Sequence, residues 1–172
     1  TTSSMRLTMW GLSRLALLRL DRDTWHGLVR ELDRRGRRRR ESGAFLLAAA
    51  SGDPRVVTRI VYFDDLDPAC LKGHIHIVGT AFSKLWDTCE AEGLRVAGDV
   101  HTHPGPDVAQ SSIDADSPAI ARAGHVALIL PNLAAGDVRP SSVGIHLYRG
   151  NAGWRSWFGP AAAVRLDIRR SL

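Results

Sequence analysis

Apolar and polar positions alternate along the chain with two distinct periods, and these divide it into helices and strands. Trp25, Leu28, Val29 and Leu32 recur at helical spacing after Asp23-Thr24, which predicts a helix that stops near Gly36. A second helix is predicted from Thr80, as its cap, to Gly93, with Phe82, Leu85, Trp86 and Cys89 on its apolar face. Residues 44–50 are apolar throughout, as in a strand buried on both faces. The turn Ser51-Gly52-Asp53-Pro54 joins them to a β-branched run at residues 55–63, so the pair reads as a hairpin. Further strands are expected at residues 14–20, 74–78, 94–100, 125–130, 143–148 and 154–158, and a short helix at residues 114–123, with Pro118 tolerated only near its first turn. Residues 64–68 form an acidic connector. This order predicts one α/β domain over residues 11–172, a mixed sheet with about three helices, preceded by a patternless extension at residues 1–10.

Composition narrows the class. The 172 residues, 44% hydrophobic and 24% charged, suit one soluble domain able to bury a core. No apolar run approaches the roughly 18 residues of a membrane span. Residues 5–20 are leucine-rich, but Arg14 and Arg19 break them into pieces too short for a signal-peptide core, so the cytoplasm is the expected compartment. Cys70 and Cys89 are too few for a disulfide scaffold and too far apart for a cysteine zinc ribbon. The net charge of +5 is nearly all arginine, the lysines being Lys72 and Lys84. The run at residues 34–40 can contact phosphates, but without interleaved aromatics it reads as a solvated face rather than a nucleic-acid site.

The chemistry concentrates in Gly98-Asp99-Val100-His101-Thr102-His103-Pro104, followed by Ser111-Ser112-Ile113-Asp114. His101 and His103 lie two apart at a strand end, so both imidazoles project from one face. Asp114 can return from the next helix to face them. Two histidine nitrogens and a carboxylate leave a metal such as zinc one open position, the mark of a catalytic rather than a structural site. Spacing alone equally allows a pair of surface histidines before a turn, with Asp114 as a helix cap.

His101-x-His103-Pro104 with Ser111-x-x-Asp114 resembles the signature of the JAMM/MPN zinc metalloproteases. Their upstream glutamate has a counterpart in Glu41, within Glu41-Ser42-Gly43-Ala44-Phe45-Leu46-Leu47; Glu31, Glu90 and Glu92 fall on predicted helices. The resemblance spans about residues 14–148 and implies a single MPN/JAMM-like, cytidine-deaminase-like domain with a curved mixed sheet. It implies one Zn2+ per chain on His101, His103 and Asp114, with Glu41 as general acid-base and Ser111 as oxyanion donor. The short acidic connector and absence of accessory segments look like a stand-alone bacterial member. Such proteins act on the C-terminal glycine of a ubiquitin-like protein or its conjugates, beside E1/E2-like conjugation enzymes of the same operon. Two alternatives stay open: a peptidase releasing an adduct from a sulfur-carrier protein in cysteine biosynthesis, and a non-catalytic MPN scaffold.

Lesser candidates are set below these. His74-Ile75-His76 repeats the spacing but lacks the following proline, serine and carboxylate. Asp116 breaks the register of Asp114, Asp99 is a candidate to steady a histidine from behind, and Trp154 and Trp157 are expected to pack in the core. The substrate tail is expected on a free strand edge near residues 96–100 or on the loop at residues 131–142, with the partner's folded body near residues 64–67.

Overall fold

The computed structural model describes residues 14–72 and 75–170. It is a mixed α/β fold in which a six-stranded sheet, ordered β3-β2-β4-β5-β6-β7, carries helices on both faces. Strands β2 (Gly43–Ala49) and β3 (Val57–Tyr62) form the expected hairpin. β4 (Leu94–Thr102) lies antiparallel to β2 and parallel to β5 (Val126–Leu130), and β6 (Gly144–Tyr148) and β7 (Trp154–Trp157) complete the sheet by antiparallel pairing. Two short strands stand apart as a parallel pair, β1 (Leu18–Asp21) with β8 (Leu166–Arg169).

Alternation on β2 separates two cores. Ala44 and Leu46 face helix α1 (Arg22–Gly36), whose Trp25, Leu28, Val29 and Leu32 are buried. Phe45 and Leu47 face α3 (Gly79–Glu92), reached through the one-turn helix α2 (Phe63–Leu66). Val100 of β4 belongs to the first face, so Asp99 and His101 emerge on the second. Asp21 caps α1 through a 2.8 Å bond from the Thr24 N–H, two residues earlier than expected. Gly93 ends α3 in the left-handed region at φ 65°, where a Cβ would be strained.

Several elements differ from the sequence pattern. Residues 75–78 are irregular rather than a strand, and His74 lies outside the described residues. α3 starts after Val78 with no side-chain cap, so Thr80 sits inside it, and Trp86 is exposed. The helix expected at residues 114–123 is only the one-turn α4 (Ser112–Asp116), because Pro118 drives Ser117 out of helical geometry. The acidic connector is largely α2, and β8 and α5 (Gly159–Ala163) add to the expected set. Five α-helices are present among the described residues, two of them long. None is long and apolar enough to cross a membrane.

Candidate metal centre

Three segments deliver the site. The carboxyl end of β4 brings His101 and, one residue past the strand, His103. α4 brings Asp114, and the residue before β2 brings Glu41. Their depth is set by buried polar bonds: Ser42 Oγ donates to Leu32 O at 2.8 Å, and the Ser42 N–H donates to Thr102 Oγ1 at 3.0 Å. Gly43 is required between them, since a Cβ there would lie 2.4 Å from the Phe63 ring and 2.7 Å from Val100 O.

His101 Nε2 and His103 Nε2 are 3.2 Å apart, and they stand 3.5 Å and 3.4 Å from the two oxygens of Asp114. A tetrahedral ion with bonds of about 2.0–2.1 Å needs donor separations of about 3.3–3.4 Å, so the three donors fit one such ion. Their other ring nitrogens are engaged from behind. His103 Nδ1 meets Asp107 O at 3.0 Å, and His101 Nδ1 faces the buried Asp99 carboxylate at 4.0 Å. With a proton on each Nδ1, both Nε2 atoms present lone pairs to the shared space.

Charge follows the same geometry. Burial pulls His101 down, but Asp114 and Asp99 outweigh it and hold the imidazole up at about 9. His103 is raised by its bond to Asp114 against partial burial. Burial pushes Asp114 up, but bonds to both histidines and Ser111 keep it far below the ordinary carboxylate range. Asp99, buried and 2.5 Å from His125 Nε2, is likewise lowered. Without a metal the Asp114 anion thus favours protonation of the imidazoles beside it; shedding those protons turns the cluster into a ligand set.

Ser111 caps α4 in a reciprocal box with Asp114, its hydroxyl donating to Asp114 Oδ2 at 2.7 Å. His101, His103 and Asp114, the trio able to hold an ion, share with Glu41 and Ser111 one cleft of about 660 Å³ whose walls include Phe63, Ile75, Phe82, Pro118 and Trp154. Asp116 is exposed and outside the trio, while His76 lines the cleft away from it. Trp154 is half-buried; its Nε1 donates to Ala115 O at 3.1 Å and so braces α4. Trp157 is also half-buried, stacked under Arg165.

Sequence reasoning did not reach the loop's anchor. His146, wholly buried on β6, meets Val108 O through Nε2 at 3.0 Å and Ser156 Oγ through Nδ1 at 2.7 Å. A Cβ at Gly144 would lie 2.0 Å from the same Val108 carbonyl. These contacts hold the loop that aims His103, and their only sequence signal is a glycine two residues before a histidine. Of the edge expected at residues 96–100, the part from Gly98 onward is not free, because Gly98–Thr102 pairs with β5 on one side and with β2 on the other.

No family model matches the sequence. Among solved structures, that of protein DSY2949 from Desulfitobacterium hafniense, determined in solution, is similar at a TM-score of 0.63 and 15% identity, over 90% of this chain and 94% of that one. At that identity the likeness concerns the fold.

Proposed function

We propose that the protein is a JAMM/MPN-type zinc peptidase that hydrolyses the bond after the C-terminal glycine of a ubiquitin-like protein. The observation that carries this reading is the convergence of His101 Nε2, His103 Nε2 and the Asp114 carboxylate at tetrahedral separations, in a cleft shared with Glu41. Those three residues would hold the ion. Bound there, zinc supplies Lewis acidity that brings the pKa of water to about 7 and polarises a carbonyl. Glu41, which belongs to no ligand pair, accepts the proton as water adds to the scissile carbonyl. It then passes that proton to the nitrogen as the C–N bond breaks. Ser111 steadies Asp114 through its hydroxyl, and in this reading that hydroxyl turns to donate to the developing oxyanion. The apolar walls at Phe63, Phe82 and Trp154 keep bulk water from the reacting atoms.

The test is a paired measurement on the purified protein with a fusion to a glycine-ended ubiquitin-like protein. Glu41→Gln should retain zinc and lose about 100- to 10,000-fold in turnover, whereas His101→Ala should lose both. A Glu41→Gln protein that is fully active, or that no longer holds metal, overturns the assignment.

A further inference from the structure

A second cleft, of about 1120 Å³, shares no residue with the first and opens beside the β1–β8 pair. Six arginines line it: Arg14, Arg19, Arg22, Arg55, Arg169 and Arg170. They come from both ends of the chain and from the turn before β3, so only the fold brings them together. Asp53 and Asp167 organise three of them. Arg55 grips Asp53 through two bonds of 2.9 and 2.8 Å, Arg19 lies 3.3 Å from Asp53 and 3.6 Å from Asp167, and Arg169 is 2.7 Å from Asp167. Arg14, Arg22 and Arg170 are exposed and have no carboxylate partner among the described residues.

Three exposed guanidiniums without a carboxylate partner among the described residues, Arg14, Arg22 and Arg170, therefore stand around the organised Arg19, Arg55 and Arg169. In the run at residues 34–40 three of the six guanidiniums are paired, Arg34 and Arg35 with Glu31, Arg35 also with Asp64 and Asp65, and Arg38 with Asp33, and these residues lie outside the cleft. An unbalanced set of guanidinium forks over an apolar floor of Val164, Leu166 and Ile168 suits a ligand with several closely spaced oxyanions. Among the described residues no aromatic ring lines the cleft, so recognition there falls on the anion and not on a base. We propose that this cleft binds closely spaced phosphate groups, carried by a short polyphosphate chain or by a nucleic-acid backbone.

Binding of tripolyphosphate and of a labelled 20-nucleotide oligomer to the full chain, measured by calorimetry and fluorescence anisotropy at low salt, tests the proposal and separates the two sources. Arg14→Glu/Arg22→Glu/Arg170→Glu should weaken the bound probe on the order of tenfold or more and flatten its salt dependence. Arg34→Glu/Arg38→Glu/Arg139→Glu, an equal charge change elsewhere, should leave affinity nearly as it was. The corresponding glutamine set repeats the test should charge reversal lower the melting temperature. Binding of neither probe, equal loss in both triple variants, or stronger binding of a polyglutamate of matched charge would overturn it.

Discussion

Two aspartates sit at the centres of the two clefts, and each holds a pair of basic groups. Asp114 has imidazoles at 3.5 and 3.4 Å; Asp167 has guanidiniums at 2.7 and 3.6 Å. The pairs differ in whether the charge can be given up. Imidazole sheds its proton within the ordinary pH range, and the nitrogen then becomes a donor to a cation. Guanidinium keeps its charge at any pH the fold survives, so Asp167 can pin arginines but cannot share a metal with them. Similar acid–base neighbourhoods thus suit a cation in one place and an anion in the other.

The largest expected effect comes from removing one aspartate's charge and not the other's. Asp114→Asn keeps the side chain's shape but removes the anionic donor. It should weaken zinc binding by more than the roughly 10- to 100-fold typical of losing a partner one bond further out. Asp167→Asn should leave zinc affinity unchanged. Chelator competition on both variants measures this directly, and equal loss in the two would mean that the clefts are not separate sites.

The first cleft was largely legible in the sequence and the second was not, for a physical reason. His101, His103, Ser111 and Asp114 are close in the chain, so strand alternation and a helix cap carry most of their geometry. Glu41 needed the longer β2–β4 pairing, which an unbroken apolar run made readable. The arginine cleft depends on β8, a four-residue strand whose partner lies at the other end of the chain. Local patterning instead drew attention to residues 34–40, where Arg34, Arg35 and Arg38 each hold a carboxylate within five residues. The same limit hid His146 and Gly144, which act on a loop from across β6. Of the strand expected at residues 74–78, the described residues 75–78 join no sheet, since alternation alone does not supply a ladder.

A smaller effect should follow from Asp99→Asn. The carboxylate holds His125 at 2.5 Å and faces His101 Nδ1 at 4.0 Å, which favours the proton on Nδ1 and leaves Nε2 as the donor. An asparagine keeps its oxygen for His125 Nε2–H and so turns its NH2 toward His101 Nδ1, favouring the wrong tautomer. Zinc affinity should fall about 10- to 100-fold, with tripolyphosphate binding unchanged. Nitrogen-15 shifts of the imidazoles would report the tautomer independently of the metal, and an unaltered His101 spectrum would remove this role from Asp99.

The mildest contrast is in pH. His101 is raised to about 9 in the metal-free protein, above the 6.5 of a free imidazole, and His103 is raised with it. A raised folded-state value stabilises the protonated fold fully below about 6.5, and that contribution is lost as pH climbs through 9. The metal-free protein should therefore melt progressively lower across this window as the cluster's attraction fades. Asp114, held low, stays ionised throughout, and His146, lowered by burial, is already neutral. Zinc must displace the proton that His101 carries, so its apparent affinity should rise by about tenfold per pH unit for each imidazole that must deprotonate, levelling off above 9. Among the described residues no histidine or cysteine lines the arginine cleft, so its phosphate affinity should stay flat for a probe of constant charge. Zinc competition and probe titrations at pH 6.5, 7.5 and 8.5 on the same protein provide the comparison. A zinc affinity independent of pH would mean that His101 Nε2 is not where the ion binds.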